Sequence, residues 1–328
     1  MGRVISPSKQ DELTRVVAWY VDRIYGTIEG PGTTPFYCDP EKVGLAAVDP
    51  RALAQADEAA LFKLFLSLAM YQARRDVVIQ AQQRGWNRTE ATSLLSLSGL
   101  QRRMRSCPCP HLANPGRFEQ ACTVIKVGKT ITCDYSALAC PVRDAARVWG
   151  RMADLGKLPT SAYWRIWAKG GTTNLIQQAS RESDPTLRLE SVIAEFAQVF
   201  RVGRKLATLF VSAVSTPALA PGLTPWWPNL DGNLAVVLDT HATRAVVHLA
   251  GKAAGSTYQS RVDWLRRVSE NLDLTRFHCV FPSFSPRLVQ QALYAFCSKS
   301  NRLAWDRLCP HEEAGQCHSG LCPFHKPM

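Results

Sequence analysis

The strongest constraint on the fold is a pair of helical segments, 191–200 and 203–214, with only Arg201 and Val202 between them. So short a connection forces a tight turn, for which Gly203 is expected to supply the backbone freedom. Helical periodicity covers most of the remaining chain: 12–27, a helix from Asp57 as its cap to about 83, then 89–97, 143–155, 160–169, 172–181, 240–249, 261–272 and 286–297. Ser285 caps the last of these, with Pro286 at its first position. The 57–83 helix is apolar on nearly every face, with Lys63, Ser67 and Arg74 on one stripe, and is expected to be buried. Pro217, Pro221, Pro225 and Pro228 exclude a continuous helix over 215–233. The β-branched stretch 123–132 around Gly128 reads as a small hairpin inside an otherwise all-α chain.

With 46% apolar and 20% charged residues, the 328-residue chain has the composition of a folded protein and can bury a substantial core. Its 39 Lys and Arg against 27 Asp and Glu leave a net charge of +12, which suits a partner made of phosphates. The best membrane candidate, 59–70, is short and carries Lys63 and Ser67, and no leader precedes Asp11, Glu12 and Arg15. The expected partner is therefore double-stranded DNA and not a membrane. The expected location is the cytoplasm at the nucleoid, or the nucleus if the source has one.

Chemistry-bearing residues gather on both sides of the tight turn. Lys205 falls in the first turn of the second helix, where exposed amides can bind a phosphate. Asp239, 239 − 205 = 34 positions on, ends the apolar run 234–238 and opens the next helix, where a carboxylate is stabilised. Taken singly, the lysine reads as a solvated side chain and the aspartate as an ordinary cap. As a set, Val202-Gly203-Arg204-Lys205 followed by Asp239-Thr240-His241 and Arg244 resembles the endonuclease III branch of the helix-hairpin-helix (HhH-GPD) DNA glycosylases.

That resemblance implies two helical lobes with DNA in the cleft between them, a lysine that attacks the sugar C1′ and an aspartate that assists. It places Arg201, Val202, Gly203 and Arg204 against DNA. It also makes Gln72, in Tyr71-Gln72-Ala73-Arg74-Arg75-Asp76, the wedge that fills the gap left by a flipped base. By its residues alone, Gln72 is equally a polar helix position. Phe200 and Arg201 stand where the family has Pro and Gly, and Arg201 can offer its charge to a phosphate instead. In the loop 215–233, Trp226 and Trp227 suit either stacking on a base or packing between the lobes. The chemistry requires these residue types. Breaking the glycosidic bond builds positive charge on the sugar, which a carboxylate stabilises. A neutral lysine amine can attack and leave a Schiff base that permits strand cleavage.

Nine of the eleven cysteines fall into two groups, which in a reducing compartment suggests metal rather than disulfides. The C-terminal set Cys297-x11-Cys309-x7-Cys317-x4-Cys322 suits a [4Fe–4S] cluster or a zinc ion held by four thiolates. The resemblance favours the cluster, although the gaps here are longer than the family's, and His311, His318 and His325 leave mixed zinc ligation open. Cys107, Cys109, Cys133 and Cys140 flank the expected hairpin as a candidate zinc knuckle, with His111 and Cys122 as spare ligands and buried free thiols as the alternative.

The expected architecture is an all-α, two-lobed helix-hairpin-helix glycosylase fold. One lobe spans 58–233, interrupted by a cysteine-rich insertion at 106–142. The other joins 1–57 to 234–328 and carries the C-terminal cluster loop. The expected function is excision of a modified or damaged base by a monomer, with an associated lyase step. A glycosylase using Asp239 and water alone, and a non-catalytic DNA-binding protein stabilised by metal, are the alternatives.

Overall fold

The computed structural model describes residues 5–27, 29–73, 76–113, 118–122, 139–149 and 155–297. Among them the chain forms α1 (Pro7–Arg23), α2 (Pro40–Val43), α3 (Pro50–Ala54), α4 (Glu58–Ala73), α5 (Asp76–Gln83), α6 (Arg88–Leu95), α7 (Leu97–Ser106) and α8 (Phe118–Ala121). There follow α9 (Pro141–Val148), α10 (Leu158–Arg165), α11 (Gly171–Ala179), α12 (Pro185–Ala197), α13 (Arg204–Ala213), α14 (Thr240–Ala250), α15 (Tyr258–Ser269) and α16 (Pro286–Cys297). The described residues hold no strand, only an isolated bridge between Tyr25 and Glu29. The expected hairpin at 123–132 lies outside them. No helix among them is long and apolar enough to cross a membrane.

Helix starts follow a recurrent local rule. Ser6-Pro7, Asp39-Pro40, Asp49-Pro50, Asp184-Pro185 and Ser285-Pro286 each place a capping oxygen before a proline that needs no backbone donor. The Asp184 carboxylate, for example, accepts from the Leu187 amide at 2.9 Å. The expected caps Asp57 and Ser285 are present, accepting from Ala60 N at 2.8 Å and Leu288 N at 3.2 Å.

The chain divides into two compact units, Thr34–Phe210 and a second formed by the residues up to Thr33 with those from Val211 onward. These divisions differ from the expected 57/58 and 233/234 for reasons visible in the packing. The segment 34–57 contains α2 and α3 and is clamped by Gln83, which donates to Val43 O at 2.9 Å and accepts from Leu45 N at 2.9 Å. The loop 215–233 joins the other unit, where Gly232 N donates to Ser215 O at 2.9 Å and Ser285 Oγ to Asn233 Oδ1 at 2.8 Å.

The unit Thr34–Phe210 is built around α4. As its apolar sequence implies, Leu61, Phe62, Leu66 and Met70 are fully buried, and Ser67 is accommodated by hydrogen bonding to Ala46 O at 2.9 Å. An aromatic cluster binds α4 to the helix pair. Phe65 lies 5.3 Å from Phe196 of α12 and 5.1 Å from Phe210 of α13, while Phe62 meets Trp167 at 4.9 Å. In the other unit α16 is buried at every position but Tyr294 and packs with α1, α14 and α15. Its buried Arg287 donates to Ser212, Gln290 and Gln291, each at 2.8 Å.

Candidate functional site

The turn between α12 and α13 is the centre of the candidate site. Val199 and Val202 are buried and anchor it from both sides, and Val202 N closes the turn on Val199 O at 2.9 Å. The left-handed residue is Arg201, with φ of +64°, rather than Gly203. This corrects the expected role of Gly203: a Cβ placed there would meet nothing within 4 Å, and its carbonyl simply opens α13 by accepting from Ala207 N. Arg201 therefore occupies the conformation that a glycine adopts at least cost, at roughly 1–2 kcal/mol for an L side chain. Its guanidinium carbon sits 5.6 Å from the Phe200 ring centroid, and Lys157 Nζ sits 5.3 Å from the same ring. Such cation–π contacts offset part of the cost.

Support for the turn comes from distant parts of the same unit. Phe200 N donates to Ser161 Oγ at 2.9 Å, and Ser161 Oγ donates in turn to the Glu119 carboxylate of α8. Lys157 Nζ holds the Glu119 carbonyl at 3.1 Å. Sequence reasoning missed Ser161 and Glu119, because no local pattern links α10, some forty residues before the turn, or α8, some eighty before it, to that turn.

Lys205 lies in the first turn of α13, half-buried. Its Nζ reaches Gln72 Oε1, near the C-terminal end of α4, at 3.3 Å. The fold thus brings together the candidate nucleophile and the candidate wedge, although they are far apart in sequence. Gln72 is exposed. Of the chain's basic residues, Arg204 beside this turn pairs with Glu190, and Arg103 on α7 pairs with Asp144 at 2.6 Å while bonding Ser93 at 3.0 Å. Arg102 and Arg201 are exposed, and Arg74 and Arg75 lie outside the described residues.

Asp239 belongs to the other unit and is the N-cap of α14, its Oδ1 accepting from Ala242 N at 2.7 Å. In the preceding run, 235–238 is buried; Val237 N donates to Gln290 at 3.4 Å and Leu238 N to the Tyr258 hydroxyl at 3.3 Å, while the amides of Leu234, Ala235 and Val236 donate to backbone carbonyls. The two tryptophans of the loop separate. Trp226 is buried at 3% exposure, whereas Trp227 is 42% exposed, so only Trp227 is accessible to a ligand.

The cysteine groups are resolved unequally. Cys297 is buried at the end of α16, and Cys309, Cys317 and Cys322 lie outside the described residues. In the insertion, Cys107, Cys109, Cys122 and Cys140 are all buried in one small core with Leu112, Phe118, Val142 and Ala146. Cys133 lies outside the described residues. Burial raises the Cys107 thiol and pushes Cys140 up to about 12. Among the described residues, no three Cys, His, Asp or Glu side chains stand close enough to hold a metal ion as placed.

No family model, no curated protein and no solved structure matches this chain. A functional reading therefore rests on its own residues and their geometry.

Proposed function

We propose that this chain is a base-excision DNA glycosylase of the HhH-GPD type, with Lys205 as nucleophile and Asp239 as the assisting carboxylate. The observation that carries this reading is the 3.3 Å contact between Lys205 Nζ and Gln72 Oε1. A residue that attacks the sugar of a flipped nucleotide and a residue that fills the vacated stack must act at neighbouring points on one DNA strand. The first amides of α13, which lack intrahelical acceptors, supply a phosphate contact beside them.

In the reaction, the neutral Lys205 amine bonds to C1′ as the bond from C1′ to the base nitrogen breaks. The base leaves with that electron pair and is protonated. The Lys205 nitrogen gives up its proton, the sugar ring opens with its oxygen taking the C1′–O pair, and a Schiff base results. Asp239 offsets the positive charge that the sugar develops. For the C-terminal set, the four-thiolate donor chemistry of Cys297, Cys309, Cys317 and Cys322 fits a [4Fe–4S] cluster better than a hard oxygen-liganded cation. That group would be structural, and iron and sulfide analysis of anaerobically purified protein tests it against zinc.

The test of function uses duplexes that each carry one modified base. Released base is read by mass spectrometry, and borohydride traps any covalent adduct. The expected result is base release with an adduct that Lys205→Ala abolishes while most DNA affinity remains. Base release without an adduct would transfer the chemistry to Asp239 and water. Binding with no released base on any duplex would leave a DNA-binding protein without chemistry. The affinity itself should fall steeply with salt, because each phosphate contact releases counterions.

A further inference from the structure

We infer that the cavity bounded by α10, α11 and α12 is a binding site for a free α-amino acid with an uncharged side chain. This is independent of the glycosylase reading. The cavity lies wholly within the unit Thr34–Phe210 and has a volume of about 370 Å³. That is at the small end of ligand sites, which run from roughly 300 to 1,000 Å³. Its shape follows from the chain. Only residues 180–184 join α11 to α12, so the two helices form an antiparallel hairpin. Residues four apart on each helix then line the cavity from one face: Asn174 with Gln178 on α11, and Ser191 with Glu195 on α12. The end of α10 closes the side nearest Glu195. There Arg165 donates to Gln198 Oε1 at 3.4 Å, and Gln198 donates to Glu195 Oε1 at 3.4 Å.

The charges at that end lack strong partners. Glu195 is half-buried, and among the described residues its carboxylate has no ion pair and only that one long hydrogen bond. The Lys169 ammonium, in the turn after α10, has neither an ion pair nor a hydrogen bond among them. Arg165 is held loosely. Its contacts to Glu119 and Gln198 run from 3.4 to 3.5 Å, against about 2.7–2.9 Å for a well-made charged hydrogen bond. Two cations and one carboxylate therefore line one end of the cavity. A simple anion placed there would face Glu195, and a simple cation would face Lys169 and Arg165. A carboxylate and an ammonium on one carbon answer both, the carboxylate toward Lys169 and Arg165 and the ammonium toward Glu195. That is the head of an α-amino acid.

The rest of the cavity suits the side chain of such a ligand. Ile166 and Ala179 are buried and Leu175 is half-buried, which gives an aliphatic floor. Beyond the floor, Gln178 donates to Asn174 Oδ1 at 3.2 Å, and the Ser191 hydroxyl donates to Arg188 O at 2.8 Å. No other charged residue lines the cavity, so a charged ligand side chain would lose its water without gaining a counter-charge.

The experiment uses the intact chain without DNA. Each standard L-amino acid is screened by saturation-transfer NMR, and binders are titrated calorimetrically. We expect binders to come from the uncharged set, L-leucine among them, and Asp, Glu, Lys and Arg not to bind. Leucinamide lacks the carboxylate and N-acetylleucine lacks the ammonium. Each should bind wild-type protein about 10–100-fold more weakly than leucine, the scale of one charged hydrogen bond. Glu195→Gln should weaken leucine binding by a similar factor. Lys169→Ala, at an exposed position, should weaken it by about 2–5-fold. Both variants should keep the wild-type melting temperature, because neither side chain holds an ion pair. No binding by any amino acid at about 10 mM overturns the site. So does leucine binding that the two derivatives match, because an apolar side chain alone would then fill the cavity. Binding that both folded variants leave unchanged overturns it as well. The derivative comparison uses wild-type protein, so it stands even if a variant does not fold. Failure of base release on every duplex would leave all these outcomes untouched.

Discussion

The two helix starts that carry the proposed chemistry are held in opposite ways. Asp239 is held by its own helix: its carboxylate accepts from Ala242 N three residues on, and its carbonyl accepts from Thr243 N at 2.9 Å. Lys205 follows a turn held from elsewhere. Phe200 N relies on Ser161, 39 residues back, and Ser161 on Glu119, 42 further back. Lys205 itself reaches Gln72, 133 residues back. Both are polar side chains at a loop-to-helix junction, yet one is placed by its neighbours in the chain and the other by the fold. A local junction should tolerate any substitution that keeps its cap. A long-range junction should fail when a remote partner is removed.

The largest effect that sharpens this contrast is on rate. Asp239→Asn should slow base release by about 10²–10³-fold in single turnover, the usual scale for losing one electrostatic stabiliser. Its melting temperature should stay close to wild type, because Asn caps as well as Asp. A comparable loss of stability would show that the carboxylate is held by more than its helix. Next is Ser161→Ala, which touches neither candidate catalytic residue but strips the Phe200 amide of its acceptor and the Glu119 carboxylate of one donor, leaving it paired with Arg165 at 3.4 Å. Denaturant unfolding should record a loss of about 1–3 kcal/mol, with a lower yield of trapped adduct. Full retention of both would break the claim that the turn is held from a distance.

Asp239→Ala comes third, with a loss of about 1 kcal/mol for the missing cap, read from the same unfolding curves and compared with Asp239→Asn. The smallest effect concerns the glycine of the turn. Gly203 has open space around it and no left-handed backbone, so Gly203→Ser should raise stability by about 0.5–1 kcal/mol through a stiffer unfolded chain and a capping hydroxyl. If Gly203 is present to let a phosphate approach, DNA affinity should fall in the same variant. A destabilised Gly203→Ser would restore the conformational role first expected of that residue.

Much of the helical framework was legible in the sequence because its signals are local. The Asp57 and Ser285 caps, the all-round apolar surface of α4 and the prolines of 215–233 each act within a few residues, and each helix begins or fails where these place it. The sequence reading went astray where a local signal was weak. No helix is legible over 34–57 because α2 and α3 are only four and five residues long, too short to show a period. Its attachment is decided by Gln83, some forty residues later. Trp226 and Trp227 are chemically alike, and only packing makes one core and the other surface.

By itself, the sequence determined that the chain is helical, that a tight turn precedes Lys205, that Asp239 opens a helix and that the cysteines are grouped. Each follows from periodicity, capping chemistry or spacing along one stretch of backbone. Only the tertiary structure decided that Arg201 takes the left-handed turn position, that Gln72 stands beside Lys205, and that Cys122 joins Cys107, Cys109 and Cys140 in one core. These are contacts between segments distant in the chain. Their energies depend on which surfaces are buried together, and no window of neighbouring residues contains that information.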